Sequence, residues 1–156
     1  MRPDARQVIH LLLDAPSRGL NPEDYDAQKL DEQSRVLESG GESGPESLAE
    51  LDTAISIGIL RMVSDLHIGR INPKNLHFGL DIESNKYDLA KLVRDALAAH
   101  RIPEMVAEAE PPFQVYARLK KALATYRQLA VEPPQPPLPV VKKLEPGGTY
   151  EALPAL

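Results

Sequence analysis

Apolar residues recur along this chain at helical spacing and almost nowhere in the alternation of a strand. The clearest run lies between Glu46 and Ile68. At 100° per residue, Leu48, Leu51, Ile55, Gly58, Ile59, Met62, Val63 and Leu66 form one stripe. Ile57 and Leu60 point elsewhere, so a second face is expected to be partly covered, as in a central helix surrounded by others. At about 1.5 Å per residue this helix spans roughly 30 Å, the width of a small domain. Gly58 in mid-helix costs about 1 kcal/mol relative to Ala, and a close helix crossing there would explain it.

Four further helices are predicted around it. The first runs from about Asp4 to Ala15, carries Val8, Ile9, Leu11, Leu12 and Leu13, and stops at Pro16. The second follows the turn Gly19-Leu20-Asn21-Pro22, where Asn21 can cap and Pro22 suits a first helical position. It continues to about Glu38, with Tyr25, Leu30, Val36 and Leu37 as core candidates. Ser39 to Pro45 reads as a loop, and Asn72 to Ser84 as turn-like. A fourth helix covers about Lys86 to His100, with Leu89, Leu92, Val93, Ala96 and Leu97. Pro103 interrupts it, and Glu104 to Glu108 form a short helical turn. The last helix runs from about Pro112 to Ala130, with Val115, Tyr116, Leu119, Leu123, Tyr126 and Ala130 on one face.

The expected fold is therefore all-α: about five helices around a long central one, in a domain over residues 1–131. An extended Pro-rich tail over 132–156 leads toward a following module. Eight of the fifteen prolines lie between Pro111 and Pro146, and Pro133-Pro134-Gln135-Pro136-Pro137-Leu138-Pro139 is linker material. With five Tyr, two Phe and no Trp, the core must be aliphatic.

Charge and chemistry narrow the function. A net charge of −5 argues against nucleic acid as a partner, because phosphate binding needs a basic surface. Without cysteine there is no disulfide, thiolate nucleophile or cysteine zinc site. The longest apolar run, Ala54 to Leu60, falls short of the roughly 20 residues of a membrane span. No phosphate loop, His-Glu-x-x-His or serine-nucleophile motif is present. His10, His67, His77 and His100 lack ligand spacing, and Asp24 and Asp26 lack the remainder of a calcium loop. No catalytic residue, metal or cofactor is assigned.

The polar ending of the long helix, Ser64-Asp65-Leu66-His67-Ile68-Gly69-Arg70-Ile71-Asn72-Pro73, has a structural reading. Asp65 sits at the edge of the apolar stripe and wants a partner, either Arg61 or Arg70. Gly69 ends the helix, Asp65 and Arg70 staple the turn, and Pro73 redirects the chain. On the last helix, Tyr116 and Tyr126 are expected to pack, with hydroxyls directed outward or to a partner. Arg118, Lys120, Lys121 and Arg127 form its basic side, read as an outer face that balances the acidic stretch Glu23 to Asp52. Glu104, Glu108 and Glu110 are read as a solvated face.

Four segments carry a family resemblance. Ser64-Asp65-Leu66 with Gly69-Arg70-Ile71-Asn72-Pro73 resembles the "SD…GR…P" signature of the helical scaffold domain. That domain lies N-terminal in the large murein L,D-transpeptidases of Gram-negative bacteria. Gly19-Leu20-Asn21-Pro22-Glu23-Asp24-Tyr25 is similar to the family's "GLxPxxY" turn. Tyr116 to Arg127 is similar to its "Y..L..AL..YR" helix, and Leu144-Glu145-Pro146-Gly147 to its "L.PG" entry into the next module. The resemblance covers about Val8 to Leu156. A Trp-containing stretch usual in the family is replaced by the Pro-rich segment Ala130 to Lys143.

The resemblance implies a periplasmic protein that cross-links peptidoglycan through a cysteine in a His-Gly-Cys context on a separate C-terminal domain. This chain would be the non-catalytic scaffold. Its partners would be the parent's other domains, with peptidoglycan as a candidate, and any export leader would lie upstream of Met1. The alternatives are an independent peptidoglycan- or protein-binding helical module of the cell envelope and, more distantly, an enzyme with an unfamiliar site.

Overall fold

The computed structural model describes residues 3–40, 44–71, 73–77, 87–131 and Pro146. Among them are six α-helices and no strand: α1 (Pro3–Leu13), α2 (Ala27–Glu38), α3 (Pro45–His67), α4 (Leu89–Ala98), α5 (Ile102–Ala109) and α6 (Gln114–Val131). Short 3-10 segments cover Ala15–Arg18, Pro22–Tyr25 and Pro73–Leu76. The fold is all-α. The Pro-rich tail, the Leu144–Tyr150 segment apart from Pro146, Asn72 and residues 78–86 lie outside the described residues. The chain divides into two compact units, Met1–Ala124 and Thr125–Leu156. The described part of the second consists of the last residues of α6 and a turn at Pro146.

In the first unit α3 is the hub. Helices α1, α2, α4 and α5 all pack against it. Its buried face is Leu51, Ile55, Gly58, Ile59, Met62, Val63 and Leu66. Val8, Ile9 and Leu12 of α1 meet that face, with Tyr25, Leu30 and, from α5, Ile102, Met105 and Val106. The core is aliphatic except for Tyr25 and Ser34.

Gly58 marks the closest approach. A Cβ placed there would stand 2.8 Å from Leu12 Cδ1 and 3.4 Å from the Tyr25 carbonyl oxygen. Helix propensity is given up at this position so that two neighbours can sit against the α3 backbone.

Several boundaries differ from the sequence expectations, each for a local reason. Pro103 begins a helix where an interruption is expected. It occupies the first turn of α5, where proline loses no hydrogen bond and its φ is already helical. The second predicted helix is two pieces. Asn21 caps the Pro22–Tyr25 segment by accepting a hydrogen bond from the Glu23 N–H at 3.2 Å. Asp26 then turns left-handed at φ 54° before α2 starts. Leu48 and Ile57 on α3 and Val36 on α2 are exposed, whereas Ser34, absent from the predicted core, is buried. The long helix is thus buried along one broad face, with Ile57 on its solvated back.

Polar contacts between elements accompany this packing. Arg6 of α1 pairs with Glu38 of α2. His100, left-handed at φ 52°, sets its Nδ1 3.0 Å from Asp4 and so ties the α4–α5 turn to the start of α1.

Candidate functional site

The strongest concentration of polar chemistry lies where the end of α3 meets the Pro22–Tyr25 turn. Tyr25 is 1 % exposed, with its ring in the core. Its hydroxyl donates to Asp65 Oδ2 at 2.7 Å. One turn beyond the helix, Arg70 Nη1 donates to Asp24 Oδ2 at 2.6 Å, and its Nε lies 3.7 Å from Asp65 Oδ2. Gly69 permits this return by adopting φ 95°, while its N–H reaches the Ser64 carbonyl at 3.2 Å. Residues 40 and 46 positions apart are thereby clasped: Asp24 and Tyr25 on one side, Asp65 and Arg70 on the other. They border an open depression of about 590 Å³ together with Leu60, Arg61 and Ser64.

The electrostatics suit holding better than reacting. Burial first, then the hydrogen bond to Asp65, raises the Tyr25 phenol well above its ordinary pKa, so it stays a proton donor. Asp24 raises the already high pKa of Arg70. Arg70 is the cation that the two carboxylates of the clasp share. Among the described residues no group of three or more His, Cys, Asp or Glu is placed to hold a metal ion.

A raised phenol pKa has a definite sign in stability. The unfolded chain loses the Tyr25 proton near pH 10, whereas the folded chain retains it. The contribution is therefore complete below about pH 10 and is lost as pH climbs beyond it. Thermal melts from about pH 9 to about pH 11 should show the wild-type chain losing stability more steeply than Tyr25→Phe; equal slopes would contradict this coupling.

A second cluster lies within the first unit, between the Ala15–Arg18 segment, the end of α5 and the first half of α6. Glu110, at the end of α5, accepts from Arg18 Nε at 2.9 Å and from Lys120 Nζ at 2.6 Å. Arg18 also reaches Asp14 Oδ2 at 2.9 Å. The Glu110 and Arg18 side chains are only 15 % and 12 % exposed, so Glu110 is no part of a solvated acidic face. Glu110→Ala should cost about 1 kcal/mol, since Arg18 keeps Asp14 and Lys120 returns to water. A urea midpoint shift much larger than that of Arg101→Ala, at an exposed pair, is the expected reading.

The predicted site residues fall into separate places. Asp65, Gly69 and Arg70 come together as described, and Pro73 opens the short 3-10 segment that follows. Tyr116 sits beside Lys120, whose ammonium lies 5.7 Å from its ring centre. Its hydroxyl is buried and, among the described residues, has no hydrogen-bond partner. Burial, then the charge of Glu110, raises its pKa. Tyr126 and Arg127 belong to the second unit, and Tyr126 is 71 % exposed. No side chain of α6 is fully buried, although its periodicity suggests packing. An apolar stripe tells where like residues align, not whether a partner covers them.

Sequence reasoning missed Tyr25 and Asp24 as the partners of Asp65 and Arg70. The available signal was that both segments are polar turns flanking apolar helices. It also missed the edge-on contact of His67 with Tyr87, whose ring centres lie 4.4 Å apart.

Residues 1–123 match the model of a protein family described as Scaffold domain. No curated protein and no solved structure matches the chain.

Proposed function

The chain belongs to the Scaffold domain family, and on that premise we propose that it is the non-catalytic brace of a periplasmic, peptidoglycan cross-linking protein of the L,D-transpeptidase type. It would position the wall-binding and catalytic modules of that protein, and the chemistry would reside in a His-Gly-Cys domain outside these 156 residues. One observation carries this reading. Two of the segments that resemble the transpeptidase scaffold, Gly19–Tyr25 and Ser64–Pro73, meet through Tyr25–Asp65 and Asp24–Arg70. Asp24, Tyr25, Asp65 and Arg70 are engaged with one another in holding the domain's shape, as a brace requires.

The gene beyond the codon for Leu156 supplies the test. A downstream wall-binding module and a domain with a His-Gly-Cys signature are expected, and a reading frame with neither would overturn the transpeptidase assignment. Sedimentation of the purified chain with isolated sacculi separates this from an independent wall-binding module. The brace should stay in the supernatant, and a binding module would pellet.

A further inference from the structure

Helix α6 has two faces of different character. Tyr116, Lys120 and Leu123 are sheltered, with Lys120 holding Glu110 and Leu123 beside Gly19. Val115, Leu119 and Ala122 form a separate stripe spaced by four and three residues, and it stands in solvent. Val115 is 64 % exposed and Leu119 63 %. Single exposed apolar residues need no explanation. A run at this spacing does, because a 3.5-residue repeat is the seam by which one helix pairs with another.

Charge selects the kind of helix. α6 carries no acidic side chain, and of its four basic ones Lys120 is paired with Glu110 on the sheltered face, on a chain whose net charge is −5. Arg118 borders the stripe, and its hydrogen bond runs back along its own helix to Gln114 at 3.4 Å. A second copy would bring an equally basic helix to this face, whereas a helix bordered by carboxylates gains at its edges. We propose that the exposed stripe of α6 is a docking ridge for an amphipathic α-helix with acidic borders, supplied by a partner outside this chain. The inference rests on this helix alone and holds whether or not the parent is a murein enzyme.

The test titrates the full chain into a fluorescein-labelled heptad peptide of about 21 residues with Leu at the seam positions and Glu on both borders. A second peptide carries Lys in place of Glu. The Glu peptide should bind, and more weakly as salt rises. Leu119→Gln, at a solvated position, should weaken binding about tenfold while leaving the melting curve unchanged. Arg118→Glu should weaken the Glu peptide and favour the Lys peptide, and it carries the test if the first variant is unstable. Failure of the Glu peptide to bind, equal binding of both peptides, or indifference to Leu119→Gln would overturn the proposal. So would sedimentation showing a dimer of the wild-type chain that Leu119→Gln dissolves, since the occupant would then be a second copy.

Discussion

Gly58→Leu should destabilise the chain by about 3 kcal/mol, a large part of the stability of a domain this size. Even the first added carbon would stand 2.8 Å from Leu12 Cδ1. Leu12 is fully buried, so its methyl can yield only into the surrounding core. The backbone oxygen of Tyr25 closes the other side at 3.4 Å and cannot rotate away. A leucine would have to push α1 and the Pro22–Tyr25 turn off α3, which would also strain the clasp at Tyr25. Gly58→Ala should lie between wild type and leucine, because about 1 kcal/mol of helix propensity offsets part of its clash. Urea midpoints at unchanged slope would read both effects; wild-type stability in the leucine variant would mean that the helices do not cross closely at this position.

Asp65→Ala should cost about 2 kcal/mol, more than its partial exposure would suggest. The loss falls chiefly on Tyr25, whose hydroxyl would be left without its acceptor in a side chain that is 1 % exposed. Asp24→Ala breaks a shorter ion pair, 2.6 Å against 3.7 Å for Arg70–Asp65, yet should cost less than 1 kcal/mol. The Arg70 side chain is half exposed and water can replace Asp24. Thermal melts of the two variants at neutral pH provide the comparison, and a greater loss in Asp24→Ala would reverse this ranking.

The helical fold is legible in the sequence because each buried stretch repeats at close to 3.6 residues, most clearly from Leu51 to Leu66. Even the crossing at Gly58 could be read, since glycine inside so apolar a helix has few other uses. Less legible are features that depend on distant partners. Asp65 announces that it needs a partner, but local spacing offers Arg61 and Arg70, and only the folded chain brings Tyr25 within 2.7 Å. Glu110 looks like one of three surface acids until Arg18, ninety-two residues earlier, arrives beside it. Part of the stripe on α6 misleads in the opposite direction: Val115, Leu119 and Tyr126 have the periodicity of a core helix and remain exposed. Periodicity reports a face prepared for burial, and that face can await a partner outside the chain.

The same distinction bears on function. Asp65, Gly69 and Arg70 carry the family-like signature, and their geometry accounts for them without a substrate. If the signature residues serve to hold the Pro22–Tyr25 turn against α3, the Tyr25–Asp65 pair must be energetically coupled. A double-mutant cycle in urea over wild type, Tyr25→Phe, Asp65→Ala and the double variant measures this most directly. The predicted result is a coupling of about 1 kcal/mol or more, with the double variant less destabilised than the sum of the two single ones. Additivity to within about 0.3 kcal/mol would show that the clasp does not hold the scaffold together.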